Sequence, residues 1–227
     1  VLDAADYATF KKRPDCEGSV TDEARRRREM YREQISRQKH EKKYLTTDYN
    51  EFLRECCIVL ELRSMGPENL QRVHELAQRT NQLNFSGNRY DREELICIMN
   101  DPSQDAYVLD CHDKFGRYGT VGFCVVDREK HRLIDLAFSC RIQNKRVEHA
   151  FLTYLLREYR QRKMVDFLAN YCKTERNAPQ GRVFDDLGFE ILEEHEGMTT
   201  LMFPVNKEIV DEQIVDLQSK LIEGLSA

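Results

Sequence analysis

Between Ile134 and His149 the chain's apolar spacing changes from every second residue to every third or fourth, and this restricts its fold more than any other feature. Ile134, Leu136 and Phe138 alternate, which predicts a strand buried on one face. Val147, Ala150, Phe151, Tyr154 and Leu155 then recur at helical spacing. The strand ends at Ser139, Cys140 and Arg141, and a polar, basic turn leads into the helix. Cys140 is therefore a candidate nucleophile. Positive charge from Arg141, Lys145 and Arg146, together with a helix N-terminus, favours the thiolate. The alternative is a buried cysteine that caps a strand, since free cysteines are usually buried.

At 227 residues, 41% of them hydrophobic and 33% charged, the chain suits one domain with appendages or at most two small domains. A net charge of −5 argues against a general nucleic-acid binder. No apolar run approaches the ~20 residues that span a bilayer, so no membrane partner is expected. The eight cysteines are several times embedded in apolar runs, and the first residues do not resemble a signal peptide. A cytoplasmic location without disulfides follows. With no Cys-x-x-Cys and no histidine pair at ligand spacing, no metal site is expected.

Residues 21–43 predict a long polar helix capped by Thr21, with nine basic and three acidic residues over 25–43. Its basic face is either solvated or a docking patch for an acidic partner. A helix near 47–56, a strand at 58–62 and a helix opening with Pro67 follow. His74, at the edge of that helix's apolar face, reads as structural. An amide-rich loop, 80–90, leads to Asp91 and Glu94, spaced as a capping box. Strands are expected at 106–111, 120–127, 165–172, 189–192 and 199–203, with a short helix over 177–187 that ends at Gly188. From Asn206 the apolar spacing of Ile209, Val210, Ile214, Leu217 and Leu221 predicts a C-terminal amphipathic helix packing on the domain or on a second copy.

This succession resembles the GNAT (acyl-CoA N-acyltransferase) fold, an α+β mixed sheet splayed near its middle with a thioester in the gap. Residues 51–205 would form that domain, 1–50 a helical extension and 206–227 the C-terminal helix. A narrower resemblance is carried by Arg79 to Asn84, Arg89-Tyr90, Phe115-Gly116-Arg117, Ser139-Cys140-Arg141 and Arg176 to Pro179. These are similar to the C-terminal half of FkbH-like proteins, and residues 22–32 resemble the helix that joins it to a HAD-type phosphatase domain. The HAD signature is absent from this chain. Characterised relatives of that kind load a glyceryl group onto an acyl carrier protein.

The resemblance implies that Cys140 accepts an acyl group and passes it to the phosphopantetheine of an acyl carrier protein. Arg141 would hold the thiolate or orient a substrate oxygen. Asn81, Gln82, Asn84, Arg89 and Asn177 would line the acyl pocket, and His149 and Glu148 are candidate proton carriers or simply solvent-facing helix-start residues. GNAT enzymes cradle the CoA pyrophosphate on a Gly-rich helix start, which corresponds here to Gln143, Asn144, Lys145 and Arg146, followed by Glu148. Bulky side chains and a carboxylate there favour a carrier-bound arm over CoA. Two alternatives stand beside this reading: an N-acetyltransferase using acetyl-CoA, and a non-catalytic module that docks a carrier protein.

Overall fold

The computed structural model describes residues 22–41, 44, 49–195 and 197–221. It falls into two units, Val1–Thr47 and Asp48–Ala227. In the first, α1 (Asp22–Glu41) is the expected polar helix, with Arg37 paired to Glu33 at 3.6 Å. Thr21, Lys42, Lys43 and the side chains of residues 22–28, which carry much of the expected basic face, lie outside the described residues.

The second unit is built on an eight-stranded mixed sheet. Its elements are α2 (Tyr49–Glu55), β1 (Ile58–Ser64), α3 (Leu70–Arg79), α4 (Arg92–Asn100), β2 (Gln104–Asp113), β3 (Gly116–Asp127), β4 (Arg132–Phe138), α5 (Val147–Arg162), β5 (Phe167–Cys172), α6 (Ala178–Leu187), β6 (Glu190–His195), β7 (Met198–Phe203) and β8 (Val215–Ser219). The strand order is β6-β7-β5-β4-β3-β2-β1-β8, antiparallel except at β4–β5 and β1–β8. Among the described residues no helix is long and apolar enough to cross a membrane.

Local signals account for most of these elements. Asp91 accepts from the Glu94 N–H while Glu94 accepts from the Asp91 N–H, which completes the capping box of α4. Gly188, at φ 86°, ends α6 in the left-handed conformation. Pro67 starts a turn rather than the helix itself. Asn69 Oδ1 accepts the Gly66 N–H at 3.0 Å, and α3 begins at Leu70.

The tail departs from its expected helix. The chain turns at 205–207, runs without a helix over 208–214, and enters β8, which pairs parallel with β1, Val215 opposite Ile58 and Leu217 opposite Leu60. Val210, Ile214, Leu217 and Leu221 are spaced for a helix, but Val215 and Leu217 also alternate as in a strand, and β1 offers an edge whose backbone groups need partners.

Val73, Leu76 and Ala77 of α3 and Leu95 of α4 pack on Val108, Phe123, Val125 and Ala137 of the sheet. Phe138 instead meets Phe151 of α5, their rings 6.2 Å apart. Adjacent residues of a strand face opposite ways, so α5 covers the other side.

Candidate functional site

The sheet splays at β4 and β5. Their pairing is limited to Arg132 with Leu168 and Leu133 with Ala169, and beyond that the strands part. Residues 83–85 fill the opening. The Phe85 N–H donates to the Leu136 carbonyl at 3.0 Å, and the Phe138 N–H to the Leu83 carbonyl at 2.9 Å. Across the gap, the Cys172 N–H donates to the Phe85 carbonyl at 2.8 Å. The fully buried Phe85 ring meets Phe184 edge-on at 5.6 Å.

Buried amides lock this insertion. Asn177 Nδ2 donates to the Asn84 and Cys172 carbonyls, each at 2.8 Å, while its Oδ1 accepts the Thr174 N–H at 2.7 Å. Asn84 Oδ1 accepts the Gly87 N–H at 2.8 Å. Arg89 donates to the Ala77 carbonyl and to Asn81 Oδ1, both at 2.6 Å. Asn84, Arg89 and Asn177 therefore shape the loop with the groups expected to meet a substrate. Asn81 and Gln82 remain exposed.

Beside the filled gap lies a cleft of about 520 Å³, lined among others by Asn81, Gln82, Ser139, Cys140, Arg141 and Arg176. A second cavity, of about 400 Å³, shares Asn81 and Arg176 and adds Asn84, Arg89 and Asn177. Cys140 is exposed, not a buried strand cap. It opens a three-residue 3-10 turn, Cys140–Ile142, in which Ser139 Oγ accepts the Arg141 N–H at 3.4 Å. Arg141 reaches the Tyr118 carbonyl at 3.2 Å.

The expected helix N-terminus is not beside the thiol, because α5 starts only at Val147. Lys145 lies over the Tyr118 ring at 5.7 Å, and Arg146 pairs with Asp186 and Glu212. The cations that share the thiol's cleft are instead Arg72, Arg79, Arg141 and Arg176. Arg72 and Arg79 stand seven positions apart on α3, two turns along one face. Arg79 and Arg176 each open one of the sequence motifs, where a positive charge had no assigned role.

His149 and Arg146 line a separate cavity of about 320 Å³, together with Asp186 and Glu212. His149 Nε2 lies 3.0 Å from Asp186 Oδ2, and Nδ1 is 3.7 Å from Glu148 Oε1. Burial alone would push its pKa down, but Glu148 and Asp186 hold it above the usual value. Gln143 closes the 3-10 turn and Asn144 takes φ 61°. The structure thus separates His149, Glu148 and Arg146 from the cavity that Cys140 lines.

Asp135 went unnoticed in the sequence, where it sits as one acid within an apolar strand. It is 1% exposed, and burial pushes its pKa up to about 6, although Ser86, Tyr90 and Asn88 oppose this. Burial and Asp135 raise the Tyr90 pKa in turn.

No protein-family model matches the chain, and no curated protein matches it. Solved structures do. A domain from Methanocaldococcus jannaschii superposes with a TM-score of 0.53 at 15% identity, over 65% of this chain and 99% of its own. The ribosomal-protein-S18-alanine N-acetyltransferase from Escherichia coli gives 0.50 at 12% identity, over 66% and 96%. Ard1 from Thermoplasma volcanium gives 0.50 at 17%, over 66% and 99%. The fold is the GNAT acyltransferase fold.

The splay, where the resemblance implies a thioester, is already occupied here, and the side chains at the start of α5 do not suit a diphosphate. The backbone groups of Leu136 and Phe138 that border it are bonded to residues 83–85. At the start of α5, Arg146 is engaged by two carboxylates, and Glu148 lies buried in the first turn with Oε2 unpartnered among the described residues. A buried carboxylate at that place opposes a diphosphate.

Proposed function

We propose that this chain is an acyltransferase domain in which Cys140 carries a small acyl group and exchanges it with the phosphopantetheine thiol of an acyl carrier protein. One observation carries this reading: the fold's thioester gap is filled by residues 83–85, while an exposed thiol stands at the end of the same strand in an open polar cleft. Direct transfer inside the gap has no room in this arrangement. Thiol exchange at Cys140 needs only the arm's terminal sulfur at the mouth of the cleft. The Cys140 thiolate attacks the thioester carbonyl and displaces the arm's thiolate, so one thioester forms as another breaks. Positioning and charge are then sufficient for catalysis.

The FkbH-like resemblance supports a carrier protein as partner and a HAD-type phosphatase domain as neighbour. The likeness to N-acetyltransferases of the same fold supports a second reading, N-acetyl transfer from acetyl-CoA, which needs no cysteine and requires residues 83–85 to leave the gap.

Intact-protein mass after incubation with acetyl, glyceryl and succinyl thioesters, each on pantetheine and on CoA, tests the choice. A hydroxylamine-labile adduct is expected on the wild type and not on Cys140→Ser, with pantetheine preferred. No adduct from any donor would overturn Cys140 as the acyl carrier. Acetylated amine product from acetyl-CoA with Cys140→Ser would establish the second reading instead.

A further inference from the structure

The Cys140 cleft is strongly positive. Arg72, Arg79, Arg141 and Arg176 line it, and Glu75 is its one carboxylate. Arg72 holds Glu75 at 2.9 Å, so that carboxylate is already neutralised. Among the described residues, Arg79 and Arg176 have no acidic partner. They arrive from different elements, Arg79 from the last turn of α3 and Arg176 from the turn before α6. On a chain whose net charge is −5, this concentration is local. Like charges that line one cavity repel each other. An oxyanion among them relieves that repulsion and accepts charge-assisted, forked hydrogen bonds.

Resting on the reading of Cys140 as acyl carrier, we propose that the acyl group it takes up is anionic: a short dicarboxylic acid held by one end as the thioester, its free carboxylate facing Arg79 and Arg176. An acetyl or glyceryl group offers those guanidiniums no charge. The free carboxylate makes and breaks no bond; it fixes which thioester is presented to the thiol. The bond changes remain those of thiol exchange.

Charge-selective alkylation tests the cleft independently of acyl transfer. Iodoacetate and iodoacetamide differ mainly in charge, and the exposed Cys57 and Cys97 provide comparison thiols within the same molecule. The iodoacetate-to-iodoacetamide labelling ratio at Cys140 is expected to exceed theirs by roughly tenfold and to fall with added salt. It should drop to their level in Arg79→Ala/Arg176→Ala and survive in Arg79→Lys/Arg176→Lys. Succinate should protect Cys140 from iodoacetate; protection by inorganic phosphate alone would overturn the carboxylate assignment. Equal ratios at all three cysteines would overturn the proposal. So would acetyl-pantetheine loading Cys140 as fast as succinyl-pantetheine. Anion preference without any acyl adduct would instead overturn the acyl-carrier reading and leave an anion-binding cleft.

Discussion

The Asn177 side chain reaches the Asn84 backbone carbonyl at 2.8 Å, joining residues 93 positions apart across the splay of the sheet. The same Nδ2 holds the Cys172 carbonyl, so a single buried amide fastens residues 83–85 to β5. Asn177→Ala leaves those carbonyls and the Thr174 N–H without this partner, and is expected to cost about 2–3 kcal/mol. Urea unfolding measures it. A cost below about 0.5 kcal/mol, the range of ordinary surface changes, would show that the insertion is held by other contacts.

Asp135 makes the fold less stable as pH rises above about 4. Its folded pKa, pushed up to about 6 by burial, lies above the ordinary carboxylate value. The stability it contributes is complete below about pH 4 and is lost as pH rises through about 6. Asp135→Asn should therefore match the wild type near pH 4 and exceed it by about 2 kcal/mol at pH 8. Chemical denaturation at both pH values checks this, and a variant no more stable at pH 8 contradicts it.

Asp105 has the opposite sign. Burial pushes its pKa up, but Tyr159, Arg128 and Arg162 hold it below the usual carboxylate range. Its oxygens lie 2.5 Å from the Tyr159 hydroxyl and 2.6 Å from each of the two arginines. The resulting stability is present above about pH 4 and lost as pH falls through the lowered value. Asp105→Ala leaves Arg128 and Arg162 unpaired around a buried hydroxyl. It should cost about 3 kcal/mol at pH 7 and progressively less in acid, as measured by acid titration of both proteins.

His149, held between Glu148 and Asp186, should titrate above the ordinary histidine value in an NMR pH series. The stability of this cluster is complete below about pH 6.5 and is lost as pH rises through the raised value. Asp186→Asn should bring the midpoint down. An unmoved midpoint would mean that Asp186 does not hold the charge.

Element type was legible wherever one spacing dominated. The alternation of β4, the helical repeat of α5, the capping box at Asp91 and the glycine ending α6 each specify a local conformation through bonds within a few residues. The tail was not legible, because Ile214, Val215 and Leu217 satisfy two templates and the free edge of β1 selects the strand. Among the candidate site residues, Cys140, Arg141, Asn81 and Gln82 meet in one cleft, whereas His149 sits apart from it between Glu148 and Asp186. Sequence neighbours three or more positions past a strand end leave in directions set by the turn, and no periodicity records them.

By itself, the sequence determined the mixed strand-and-helix succession and the place of a thiol at the end of β4, because short-range sterics and apolar spacing act locally. Only the tertiary structure decided that residues 83–85 close the gap beside β4 and that Arg72, Arg79 and Arg176 line the same cleft as the thiol. Both depend on backbone carbonyls and guanidiniums from distant segments meeting, and those partners are chosen by which hydrogen bonds and charges remain unsatisfied once the sheet has formed.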